Sequence, residues 1–178
     1  SIMSWQYTHM LHDTFGKGLY NIVITNKRGY TTCFYDKNEL DTFGEYLASK
    51  VRNGEYNIAE WSQKLKADTD TFNTIVARAD DEMSYELFIE FRDALNEYAN
   101  AHRFVKVVVD HLTPEELNEY LEKLQEARLY SEPVYDESRV FSEKLAKHIS
   151  EKSGYSYDAT RGLTEKEIII FFESDILP

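Results

Sequence analysis

The sequence predicts a mainly α protein (α+β), a bundle of about six helices carrying a small β-hairpin near its N-terminus. Three observations point there. From Asp36 onward, apolar residues recur every three or four positions. Several of these runs open on a cap residue followed three positions later by an acid: Asp36 and Glu39, Thr113 and Glu116, Thr164 and Glu167. Residues 19–35 alone combine β-branched and aromatic residues around a turn signal, Asn26-Lys27-Arg28-Gly29.

In order along the chain, residues 4–15 ("SWQYTHMLHDTF") carry Trp5, Tyr7, Met10 and Leu11, a loose amphipathic helix. The hairpin follows, with strands over about 19–25 and 30–35; "NIVIT" does not alternate cleanly, so its register stays open. A helix from Asp36 presents Leu40, Phe43, Leu47 and Val51 and stops at Asn53-Gly54. A second takes about 57–78 through Ile58, Trp61, Leu65, Phe72, Ile75 and Val76. A third starts near Ser84 with Tyr85, Phe88, Leu95, Tyr98 and Ala99 and runs to about 103. The valines of "RFVKVVVDHL" favour extended backbone, so 104–112 reads as irregular or tightly buried. Thr113-Pro114-Glu115-Glu116 then supplies cap, N1 proline and N3 acid together. Its helix shows Leu117, Tyr120, Leu121, Leu124 and Arg128 on one face, and Pro133 interrupts the path. A helix from about 135 buries Phe141, Leu145 and Ile149 and ends at Ser153-Gly154. The last helix, capped by Thr164 and Glu167, presents Ile168, Phe171 and Phe172. No period repeats, and residues 1–178 read as one domain, with the hairpin at 19–35 and helices over 36–178.

Composition narrows the function classes. With 42% apolar and 14% aromatic residues and only seven Gly, the chain can bury a core. Its 32 acids against 20 bases give a net charge of −12, which argues against nucleic acid and against an acidic membrane surface as partners. No apolar run reaches the roughly 20 residues that span a bilayer. The single Cys33 cannot form an internal disulfide, which suits a reducing cytoplasm.

Few residues suggest chemistry. His9-x-x-His12-Asp13 has a metal-like i, i+3 spacing and an adjacent His-Asp pair, but metal-dependent hydrolysis needs further ligands from other helices. The competing reading is a short helix with two half-exposed histidines. His102 falls on the apolar face of its helix as a core or boundary residue, and His111 and His148 are isolated. Arg128 and Glu132, spaced i, i+4, form the candidate binding pair. Arg128 continues the Leu121/Leu124 face, so its stem is expected to be buried and its head held by carboxylates, or offered to a ligand phosphate or carboxylate. Acid pairs such as Asp80-Asp81 and Glu115-Glu116 read as helix-start charges. Phosphate-loop, nucleophile-elbow and zinc-ligand patterns do not occur.

A longer pattern lies in the C-terminal part. Arg128 with Ser131-Glu132, then Lys152-Ser153-Gly154, Leu163-Thr164-Glu165-Lys166-Glu167-Ile168 and Leu177-Pro178 resemble the helical region of phosphoenolpyruvate-utilising enzymes of the phosphoenolpyruvate synthase and rifampicin phosphotransferase type. "TTCFYDKNELDTFGEYLASKV" is similar to that family's hairpin and following helix. The resemblance implies a helical linker or acceptor-binding domain of a multidomain phosphotransferase. Its partners would be ATP-grasp and phosphohistidine domains of the same parent chain and a small-molecule acceptor. ATP and Mg would serve the parent, with no cofactor in this chain. The family's phosphate loop and Thr-Ser-His-type loop have no counterpart here, so no catalytic residue carries over. On this reading "LTEKEIIIFFESDILP" leads into a phosphohistidine domain. Two alternatives stand beside it: a self-standing acidic module recruiting a basic protein partner, and a small metal-dependent hydrolase using His9, His12 and Asp13. An aromatic-rich surface left uncovered would also favour a homodimer through an exposed apolar patch.

Overall fold

A computed structural model describes residues 9–27, 30–81 and 83–174. The architecture is mainly helical with one antiparallel hairpin. In order it comprises α1 (Leu11–Phe15), β1 (Ile22–Lys27), β2 (Tyr30–Tyr35), α2 (Lys37–Arg52), α3 (Ile58–Ala77), α4 (Tyr85–Val108), α5 (Pro114–Ser131), α6 (Val134–Ser153), α7 (Tyr157–Thr160) and α8 (Glu165–Ser174). Short 3-10 turns follow α3 and α4. No helix among the described residues is long and apolar enough to cross a membrane.

The hairpin register is fixed by which face is buried. Ile22 pairs with Tyr35 and Ile24 with Cys33 on the half-buried side, while Val23 pairs with Phe34 on the open side. A slip of one residue in either strand would turn that strand's two inner side chains to water. The first strand starts three residues and ends two residues later than expected, and Asn26 and Lys27 belong to it rather than to the turn. Residues 28 and 29 of that turn, like 4–8 of the expected N-terminal helix, the preceding 1–3 and 175–178, lie outside the described residues.

Asp36 caps α2 by accepting from the Glu39 N–H at 2.9 Å. Glu39 does not reach back, as a capping box would require. Its two carboxylate oxygens accept instead from the N–H groups of Tyr20 and Asn21, at 2.9 and 2.8 Å. One carboxylate thus holds the chain entering the hairpin against the helix leaving it. Asn57 and Ser84 cap α3 and α4 in the same half-box manner.

α3 packs against α4, α5 and α6, and α4 also meets α2 and α5. At one end of the core, Trp61 stacks on Phe104 with ring centroids 4.7 Å apart, and Phe15 joins them. At the other, Phe91 of α4 lies parallel to Phe141 of α6 at 3.8 Å. The segment after 103 is tightly buried, as one of the two expectations had it, but the expected helix end at about 103 is corrected: α4 continues without a break to Val108. Phe104, Val105, Val107 and Val108 are all buried, and that burial outweighs the weak extended preference of their β-branched side chains.

Thr113 and Glu116 form the full capping box at the start of α5. Glu116 also receives both Arg52 Nε and Nη2, at 2.9 and 3.0 Å, and Arg52 donates on to the His111 carbonyl at 2.8 Å. Arg52 beside it, with the Thr113 N–H, holds the Glu116 carboxyl down at about 2. The His111 ring rests on α2 at Gly44, where any Cβ would stand 2.1 Å from the imidazole. A glycine in mid-helix is the condition for that seat.

α8 docks on this body. Phe171 is 1% exposed, and Phe172 stacks against Phe88 of α4 and His148 of α6. Thr164 and Glu167 make the reciprocal cap: the Thr164 N–H donates to Glu167 at 2.7 Å and the Glu167 N–H to Thr164 Oγ1 at 3.4 Å. Truncation after Gly162 removes Phe171 from the core, an event that costs about 3–5 kcal/mol for a large buried aromatic. The melting temperature of the shortened chain is therefore expected to fall sharply, whereas an unchanged melt would mean that α8 contributes nothing to this core.

Candidate functional site

The C-terminal half of α4 and the end of α5 converge on an open cavity of about 600 Å³. α4 contributes His102 and Lys106, one helical turn apart on one face. α5 contributes Gln125, Arg128 and Leu129, with Glu132 at its C-cap. Tyr135, the second residue of α6, closes one side. Pro133 lies between the two helices as the N-cap of α6, so the chain turns there and brings Tyr135 back over His102.

Buried aromatic packing sets this geometry. Tyr98, 1% exposed, lies under the His102 ring with centroids 5.4 Å apart. Its hydroxyl donates to the Ser131 carbonyl at 3.3 Å, satisfying one of the acceptors left open at the end of α5. The position of Arg128 and Glu132 relative to α4 is therefore fixed from beneath. Tyr135 meets both rings edge-on, and its hydroxyl stands 3.3 Å from His102 Nδ1. Burial pushes the Tyr98 phenol well above its ordinary value.

The electrostatics of the cavity oppose those of the whole chain. His102 is held down at about 4, first by burial and then by the positive charges of Arg103, Lys106 and Arg128. At neutral pH it is an uncharged imidazole with one donor and one acceptor. Among the described residues Lys106 and Arg128 make no ion pair, and Glu132 is the one acid in the lining. Arg103 lines a second, smaller chamber of about 170 Å³ behind the same wall.

Arg128 and Glu132 thus share one cavity, but the structure corrects the packing expected of them. They form no ion pair with each other, and Arg128 is exposed rather than stem-buried. The buried stripe of α5 is Leu124, Ala127 and Ser131, rotated away from Leu121, which is 39% exposed. With its guanidinium in water, Arg128→Ala has no carboxylate to strand.

His9, His12 and Asp13 stand at α1. His12 Nδ1 lies 3.8 Å from Asp13 Oδ1, with side chains 57% and 74% exposed. Among the described residues, no three His, Cys, Asp or Glu side chains gather into a group that could hold a metal ion. His111 and His148 serve packing, against Gly44 and Phe172. Lys106 and Tyr135 are the site residues that sequence reasoning passed over. The signal for Lys106 was its i, i+4 spacing from His102, legible only once α4 is known to continue past 103; Tyr135 had none.

Because His102 is neutral through burial, the unfolded chain binds its proton first as pH falls. Stability is then fully present above the ordinary histidine value of 6.5 and is lost progressively towards about 4. In an NMR titration the His102 ring is expected to show no midpoint between pH 5.5 and 7.5. A midpoint near 6.5 would show that the ring is solvated and the cavity wall loose.

No protein-family model, curated protein or solved structure matches the chain, so a functional reading rests on the chemistry of this cavity.

Proposed function

We propose that this chain is a helical ligand-binding domain that holds a small anionic molecule in the cavity between α4, α5 and the start of α6. One observation carries the reading: Lys106 and Arg128, without carboxylate partners among the described residues, face the same cavity in a chain of net charge −12. Elsewhere many lysines and arginines are neutralised at once, as Arg52 is by Glu116, Lys64 by Asp68 and Arg92 by Glu165. The two at the cavity are available to a ligand. Because the overall field repels anions at long range, selectivity has to come from close contact within the cavity.

The resemblance to phosphoenolpyruvate synthase-like phosphotransferases supports a specific setting for such a domain. There it would present an acceptor molecule to a phosphohistidine domain, while ATP and Mg are bound elsewhere in the parent protein. Arg128 and Glu132, the residues at which the resemblance and the cavity coincide, would touch the acceptor. A reducing, cytoplasmic setting accords with the lone, half-buried Cys33.

The test is a titration of the intact chain with sulfate, acetate and pyruvate, followed by amide shifts at 102–106 and 125–135. Saturable shifts at those positions are expected, and Lys106→Ala or Arg128→Ala should each weaken binding by about 10-fold or more, the loss of one charge-assisted hydrogen bond. Both are exposed, so each variant should keep its stability within about 0.5 kcal/mol. Shifts that are non-saturable, or unaltered in both variants, would dismiss the cavity as an anion site.

A further inference from the structure

The cavity has a second compartment that narrows the ligand class. The chamber of about 170 Å³ shares His102, Lys106 and Tyr135 with the larger cavity and extends beneath the hairpin. Its far side is apolar, made by Leu19, Tyr35, Leu40 and Val107. Leu19 is 1% exposed and Val107 8%, so this side belongs to the core rather than to the surface. A cavity of roughly 150 Å³ lined by apolar side chains accommodates one benzene ring. The chamber is of that size, and two of its walls are tyrosine rings.

Resting on the anion-site reading above, we infer that the ligand is a single-ring aromatic carboxylate. Its ring would occupy the chamber under the hairpin, and its carboxylate would meet Lys106 at the shared wall. Lys106 is the cation that lines both compartments, so it reaches an anion at their junction without leaving either. Beside it, the neutral His102 and the Tyr135 hydroxyl, 3.3 Å apart, add polar contact without charge, and Arg103 is the second cation of the small chamber. Glu132 on the outer side disfavours a dianion such as a phosphate monoester more than a carboxylate. Arg128, across the larger cavity, adds attraction at longer range.

Calorimetric titration of the intact chain with benzoate, acetate, benzyl alcohol and inorganic phosphate at fixed ionic strength tests this. Benzoate is expected to bind about 10-fold or more tightly than either acetate or benzyl alcohol, because only benzoate uses both ring chamber and cation. Lys106→Met, at an exposed position, should weaken benzoate by about 10-fold and leave benzyl alcohol unchanged. Equal binding of benzoate and acetate would overturn the aromatic inference and leave the anion site standing, as would phosphate binding more tightly than benzoate. Equal binding of benzoate and benzyl alcohol, or no binding of any of the four, would overturn both.

Discussion

Helix α4 has to be buried on more sides than an ordinary amphipathic helix, and the rest of the molecule follows from that demand. Half of its 24 residues are buried, from Leu87 to Val108. A single apolar stripe covers about a third of a helix surface, so one neighbour cannot cover α4. α3 takes one side and α2 another, while Phe141 of α6 covers Phe91 and Phe172 of α8 covers Phe88. Tyr98 then ties the end of α5 to α4 through the Ser131 carbonyl. α2 and α3 start on a side-chain cap and α5 and α8 on a reciprocal one, while α6 starts at Pro133 without a side-chain cap. Glu39 grips the hairpin, Glu116 takes Arg52, and Glu167 closes on Thr164 alone.

The site is a by-product of the same packing. α4 is covered along most of its length, but between α5 and the hairpin its outer face is left open at His102 and Lys106. There the ring of His102 rests on the buried Tyr98, and the neighbouring cations are presented to a cavity. An acidic protein gains little from unpaired surface cations as such, since exposed charges are largely screened. Lys106 stands where the larger cavity meets the chamber under the hairpin, and under the proposed function that placement would combine burial with a charge-assisted bond.

Much of this was legible from residues alone. The helix starts at Asp36, Thr113 and Thr164 announce themselves through a cap residue and an acid three positions on, and Gly154 ends α6 with φ of 76°. The hairpin was recognisable, but its register depends on which side chains the helices cover, which is a tertiary fact. The fate of 104–112 was hidden for the same reason: four buried apolar residues decide it against local preference. That one misreading also concealed Lys106, since its i, i+4 relation to His102 exists only in a continuous helix. Arg128 and Glu132 were found by spacing, yet the face they occupy was misjudged, because Leu121 looks like core in sequence and lies at the edge in space.

The claim on which everything functional rests is that the wall formed by Lys106 and Arg128 attracts anions more strongly than the remaining surface. Bromide is a direct probe, since it carries a single charge and is located by its anomalous scattering in crystals of the intact chain. An anomalous peak is expected within hydrogen-bonding distance of Lys106 or Arg128 inside the cavity, at an occupancy above that of any peak elsewhere. Peaks confined to cations outside the cavity, with none against this wall, would contradict it.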